Sequence, residues 1–286
     1  MPWRATIPAV LIVAVALSAG GYAALSTGRY AALSDTVPSR LCGVPRNATA
    51  DSCDVFVGSR TVFVGDYDAG DLSQWATLHA RDWNRRSRAY CTYSACVQDG
   101  GPGHPTAARF EVRDGDVPPF GGGERAEVRT GDGTASGASV SEGDERWYEL
   151  SLKFDEPFRN PREGADSWFV VMQWLPIDNS SPPLTLQVST SDMLELGGDG
   201  PSIPFRRPIG PVTPGAWVDY VLHVKFSDDP AVGFVEAWRN GALVLPLEYR
   251  PTMTSVSSYL KQGIYRDAGS SGTQMVWHDG LRVTAP

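Results

Sequence analysis

The chain has 286 residues, 42% of them hydrophobic and 10% aromatic, enough to bury one large core or two small ones. All-β domains of about 200 to 250 residues commonly form a single unit, so one domain is expected. Lys and Arg number 25 against 33 Asp and Glu, a formal charge of -8 that argues against a nucleic-acid partner. Any polyanion must be met by a local basic groove, because net charge describes the average surface and not the site.

Residues 1 to 28 carry one early charge, Arg4, and then run uncharged from Ala5 to Gly28. The apolar heart, Ile7 to Leu17, has signal-peptide length and is followed by small residues where a peptidase cuts. An uncleaved anchor is the alternative, since the uncharged run reaches the roughly 20 residues that span a bilayer. Either way the rest of the chain is expected to be exported, secreted or held at the membrane by this segment alone. Residues 29 to 54 are small, polar and aperiodic, and read as a linker. The four cysteines, Cys42, Cys53, Cys91 and Cys96, fit no zinc spacing. Behind an export signal they read as two disulfides; of the three connectivities, proximity pairs Cys42 with Cys53 and Cys91 with Cys96.

From residue 55 to 286 the texture is β. Runs such as TVFVG, ARFEVR, RAEVR, RWYELSLKF, SWFVVMQW, LTLQVS, WVDYVLHVKF and GFVEAWR alternate or are apolar, and Gly, Pro, Asp, Asn and Ser clusters separate them. Asn240-Gly241 predicts a two-residue type I′ hairpin turn. This many strands predicts two packed antiparallel sheets, a sandwich or jelly roll.

Three of these strands carry chemistry. RAEVR puts Arg125, Glu127 and Arg129 on one face and Ala126 and Val128 on the other. Two arginines around a glutamate hold a carboxylate ligand well, with the glutamate orienting the guanidinium groups. SWFVVMQW reads as a strand buried on both faces. Its Gln173 must find partners or cost about 1 to 3 kcal/mol. YLKQGIYR places Lys261, Gly263 and Tyr265 on one face, with Leu260, Gln262 and Ile264 on the other. A cation and a phenol with only a hydrogen between them form a notch suited to proton abstraction.

The ordered set of Arg-x-Glu-hydrophobic-Arg, a central strand ending in Gln, and Tyr-hydrophobic-Lys-x-Gly-hydrophobic-Tyr resembles the groove strands of jelly-roll polysaccharide lyases. VFVGDYDAGDLSQW and WVDYVLHVKFS followed by GFVEAWRNG resemble the glucuronan lyase and heparin lyase I group more than the alginate lyases. The likeness spans roughly residues 60 to 284 and implies a concanavalin A-like β-jelly roll with a concave glycan groove. It implies β-elimination on an acidic, uronic-acid-containing polysaccharide by a monomer that needs no cofactor. Arg125 and Gln173 would neutralise the substrate carboxylate, and Tyr265 would act as base and acid. Lys261 would lower the Tyr265 pKa, since a cation at ~4 Å in a medium of dielectric ~20 contributes up to ~4 kcal/mol. Many such lyases carry a histidine two residues after the strand-ending glutamine; here that position is Leu175.

None of the four histidines stands out as its replacement. His223 and His278 are expected on outer sheet faces, and His104 lies on a loop placed to overhang the groove and bind substrate. His79 lies near Arg81, Arg85, Arg86 and Arg88, the densest basic cluster, in which Arg85 and Arg86, like Arg129, are candidates to bind neighbouring sugars. A glycoside hydrolase would need paired carboxylates, and DMLELGGD has acids at the wrong spacing. A non-catalytic glycan-binding protein on the same fold is the competing reading. No ordered calcium loop is visible, so no metal ligand is assigned.

Overall fold

The computed structural model describes residues 58–81, 91–131, 137–162, 167–200 and 204–286. The expected signal or anchor at 1–28, the linker at 29–54, the Cys42–Cys53 pairing and Arg85, Arg86 and Arg88 lie outside the described residues.

No helix occurs among the described residues; sixteen strands follow one another. They are β1 (Arg60–Gly65), β2 (Thr77–Ala80), β3 (Ala95–Gln98), β4 (Ala107–Val112), β5 (Glu124–Arg129), β6 (Val140–Ser141), β7 (Glu145–Phe154) and β8 (Phe169–Pro176). Then come β9 (Leu184–Val188), β10 (Met193–Gly198), β11 (Phe205–Pro211), β12 (Val218–Lys225), β13 (Phe234–Arg239), β14 (Ala242–Tyr249), β15 (Ser257–Arg266) and β16 (Gln274–Ala285). One sheet has the order β14, β13, β12, β7, β16, β4, β3, with β1 also on β16. The other has the order β11, β10, β9, β8, β15, β5, β2, with β6 also on β15. This is the expected pair of antiparallel sheets in a jelly roll.

The core lies between the sheets. Trp75, Phe110, Tyr148, Phe169, Trp174 and Phe226 are its large side chains, and each such ring buried contributes about 1.5–3 kcal/mol. The alternation in the two site strands sorts as the sequence requires. Ala126 and Val128 of β5, and Leu260, Gln262 and Ile264 of β15, all face the core at 0% exposure. Gln262 is the polar exception, and there the Tyr67 hydroxyl donates to its Oε1 at 2.9 Å. β8, between β9 and β15, is buried along nearly its whole length, which accounts for its apolar run.

Asn240 and Gly241 both have positive φ, 48° and 79°, between β13 and β14, as a type I′ turn demands. Cys91 and Cys96 form the disulfide that proximity suggested. Two pairings fix the site. β15 runs antiparallel to β5 with Tyr265 opposite Arg125, Gly263 opposite Glu127 and Lys261 opposite Arg129. β2 pairs on the other side of β5, with His79 opposite Glu127.

Candidate active site

Gly263 sets the local geometry. Its φ is 138°, and the pairing of β15 with β8 shifts register between Gln262 and Tyr265. A Cβ here would collide with the Ala126 carbonyl oxygen. Glycine is therefore required by the backbone, and the notch between Lys261 and Tyr265 follows from it. Beneath the notch, His278 of β16 is fully buried, with Nε2 3.3 Å from the Gly263 carbonyl oxygen. It faces the core, not an outer sheet face as expected. Burial pushes its imidazole down to about 3, so it is neutral and donates through Nε2.

On the face turned away from the core, Glu127 gathers the other groups. Gln173 Nε2 donates to its Oε1 at 2.5 Å, Lys261 Nζ donates to Oε2, and an Arg125 Nη lies 3.5 Å from Oε2. Gln173 thus finds the partner that a buried amide needs. Glu127, Lys261 and Gln173 are 1%, 1% and 2% exposed although they point away from the core, so they form the floor of a depression. Burial alone would raise the Glu127 carboxyl, but Lys261 and Arg125 together with the hydrogen bonds from Lys261 and Gln173 hold it below the usual carboxylate range. Burial lowers Lys261, with Arg125 and Arg129 adding to the effect and Glu127 opposing it. Three cations, Arg125, Arg129 and Lys261, face one carboxylate, leaving two positive charges on a chain whose sum is -8.

The rim is made by half-buried rings. The Arg125 guanidinium lies 3.9 Å from the Tyr265 ring centroid, whereas Lys261 Nζ lies 5.9 Å from it. Arg125 is therefore the nearer of the two cations to the Tyr265 ring, while Lys261 is bonded to Glu127. Trp168 packs against the other side of Tyr265 at 5.5 Å. Arg266, fully buried, binds Glu124 at 2.7 Å and so pins β15 to β5 beside Tyr265 and Arg125. Arg129 lies over Tyr259 at 5.2 Å, and Tyr259 is the Cα partner of Leu175.

The histidines divide sharply. His104 does not overhang this face. It is 4% exposed, bonded through Nδ1 to Asp279 Oδ2 at 2.6 Å and stacked on Trp217 at 4.0 Å, both on or beside the other sheet. That hydrogen bond and ring stack fix it there. His223 is on the other sheet, held by Glu145 and Glu236 and stacked on Trp147. His79 is the one that reaches the site. TLHA alternates, but nothing local reveals that β2 will lie against β5. Its imidazole is pushed down to about 4 by burial, then by Lys261, with Glu127 opposing and Arg129 and Arg125 adding. Its ring packs against Phe120 at 4.9 Å. Among the described residues no group of three or more His, Cys, Asp or Glu side chains is arranged to hold a metal ion.

A jelly roll with a cationic depression and a phenol at its rim is an arrangement suited to an anionic ligand. The chain matches the polysaccharide lyase family over residues 67–282 and belongs to it. Its fold is shared with the endo-β-1,4-glucuronan lyase of the fungus Trichoderma reesei at a TM-score of 0.58 and 19% identity, over 79% of this chain and 96% of that one. The family 7 alginate lyase A1-II′ has a TM-score of 0.51 and 14% identity, over 78% and 100% of the two chains. For alginate lyase AlyC3 the values are 0.52 and 10%, over 78% and 96%. No curated protein sequence matches the chain.

Proposed function

We propose that this polysaccharide lyase cleaves a uronic-acid-containing polysaccharide by β-elimination, acting outside the cytoplasm as a single chain. The observation that carries the reading is the Arg125–Tyr265–Lys261–Gln173 set held around Glu127. The C5 proton of a uronate is barely acidic while the neighbouring carboxylate is charged. Arg125, Gln173 and Arg129 supply donors that neutralise that carboxylate and stabilise the enolate-like charge as it forms; loss of one such donor typically costs ~10²–10³ in rate. Tyr265, two residues along β15 from Gly263 and beside the Arg125 guanidinium, serves proton transfer with the sugar. The uncharged stretch from Ala5 to Gly28 supports export.

The test is ultraviolet absorbance of the unsaturated uronic product, with the full chain incubated separately with glucuronan, heparan sulfate, hyaluronan and alginate. Absorbance that rises on one polymer with wild type and stays flat with Tyr265→Phe supports the reading. Binding of a polymer without cleavage, abolished in Arg125→Ala, would replace it with a glycan-binding role, for which Leu175 in place of the usual histidine is the motivating observation.

A further inference from the structure

With Leu175 where a histidine is expected, Tyr265 alone would have to remove the C5 proton and also protonate the leaving oxygen. We infer that His79 is the second proton carrier of this site: its Nε2 accepts the C5 proton while Tyr265 gives its hydroxyl proton to O4. This rests on the lyase reading above and assigns one of its steps. The C5–H electron pair becomes the C4=C5 double bond, and the C4–O4 pair leaves with O4, which takes the tyrosine proton. His79 then releases its proton to solvent, and Tyr265 regains one.

The geometry supports this in three ways. First, His79, Glu127 and Gly263 are Cα partners in one row across β2, β5 and β15, with Tyr265 two residues along β15 from that row. Neighbouring strands lie about 4.8 Å apart and successive residues about 3.3 Å, so the imidazole and the phenol rise from Cα positions ~12 Å apart, a span that a pyranose ring between the two inward-leaning side chains bridges. Second, the other three histidines are engaged elsewhere, with Asp279, with Glu145 and Glu236, and with the Gly263 carbonyl from below. Third, the His79 Nδ1 is buried without a hydrogen-bond partner, so no protein group on that side ties the ring down.

The charges around it fit the task. Burial and Lys261, with Arg129 and Arg125, keep the imidazole unprotonated before substrate arrives, and Glu127 is the one opposing group. A bound uronate adds negative charge beside the same cations and raises the proton affinity of His79 toward the working pH, where a general base is most effective.

The experiment measures kcat and KM against pH for the full chain and for His79→Gln, His79→Ala and Tyr265→Phe, on whichever of the four polymers wild type cleaves. In His79→Gln, kcat is expected to fall about 10²-fold with KM nearly unchanged, and the acid limb of the kcat profile to disappear. Added imidazole should restore part of the rate to His79→Ala, which no structural role predicts. Thermal unfolding of both variants, at the wild-type midpoint, shows that the fold is intact. If His79→Gln keeps its acid limb and its rate while Tyr265→Phe is silent, the inference is wrong and the lyase reading stands. If wild type cleaves none of the polymers, both fall together.

Discussion

Glu127→Gln tests the architecture of the floor. Glu127 and Lys261 are each 1% exposed and bonded to one another, so the substitution leaves an ammonium buried without its counter-ion. Breaking a buried pair from one side costs about 3–5 kcal/mol. For a domain of this size each kcal/mol shifts the midpoint by ~2–4 °C, so thermal unfolding should begin ~6–20 °C earlier. The penalty is also pH-dependent. Without Glu127 the folded-state pKa of Lys261 drops further, while the unfolded chain keeps its proton up to about pH 10. Stability rises with pH wherever the unfolded state binds more protons, so the deficit should narrow as the solution is made alkaline. Glu127→Gln combined with Lys261→Met removes both charges and should recover most of the loss, since an apolar replacement of a buried pair is often neutral. A single variant within ~1 kcal/mol of wild type, or a double variant no better than the single one, would refute the assignment of Glu127 as the group that holds the floor together.

Tyr265→Phe should fold normally and lose about 10²–10⁴-fold in lyase rate, read from product absorbance. Gly263→Ala forces a Cβ against the Ala126 carbonyl at a φ of 138°; a loss of ~1–3 kcal/mol in urea unfolding together with loss of cleavage is expected, and a wild-type midpoint would contradict the requirement for glycine. Burial pushes Glu149 up to about 7 from 4.5, with Arg282 opposing. The folded state therefore keeps a proton that the unfolded state loses first, and stability present below about pH 4.5 drains away up to about pH 7. Glu149→Gln should accordingly add up to ~3 kcal/mol in denaturant unfolding at about pH 8 and nothing at pH 4. Burial alone would lower His223, but the hydrogen bonds its ring donates to Glu145 and Glu236 raise it. Its contribution is complete below its unfolded value of about 6.5 and is lost as pH climbs through the raised one. In a Glu149→Gln background, His223→Gln should flatten the remaining fall of the unfolding midpoint above that pH.

The facing of β5 and β15 was legible because a two-residue period needs no knowledge of partners, and Arg125, Glu127, Lys261 and Tyr265 share a face as their spacing requires. Gly263 was legible as a gap but not as a bulge, since its positive φ depends on how closely β5 approaches. What the sequence hid was adjacency. His79 matters because β2 joins the edge of β5, His278 because it lies below Gly263 on the opposite sheet, and His104 because Asp279 and Trp217 draw it away. Each depends on a pairing between residues from 15 to 175 apart in the chain, which no local pattern encodes. The surroundings of Lys261 were hidden for a related reason. Spacing along one strand placed it two pleats from Tyr265, but the neighbouring strand supplied both a competing carboxylate and a closer guanidinium.

The excess of two positive charges in the depression, on a molecule negative overall, gives the surrounding field a change of sign with distance. Far from the surface a polyuronate meets repulsion; close to the depression it meets attraction. At physiological ionic strength the screening length is about 8 Å, so salt suppresses the outer repulsion before it weakens the buried contacts. A moderate amount of salt should then speed encounter with the polymer, and only higher concentrations should loosen the bound chain.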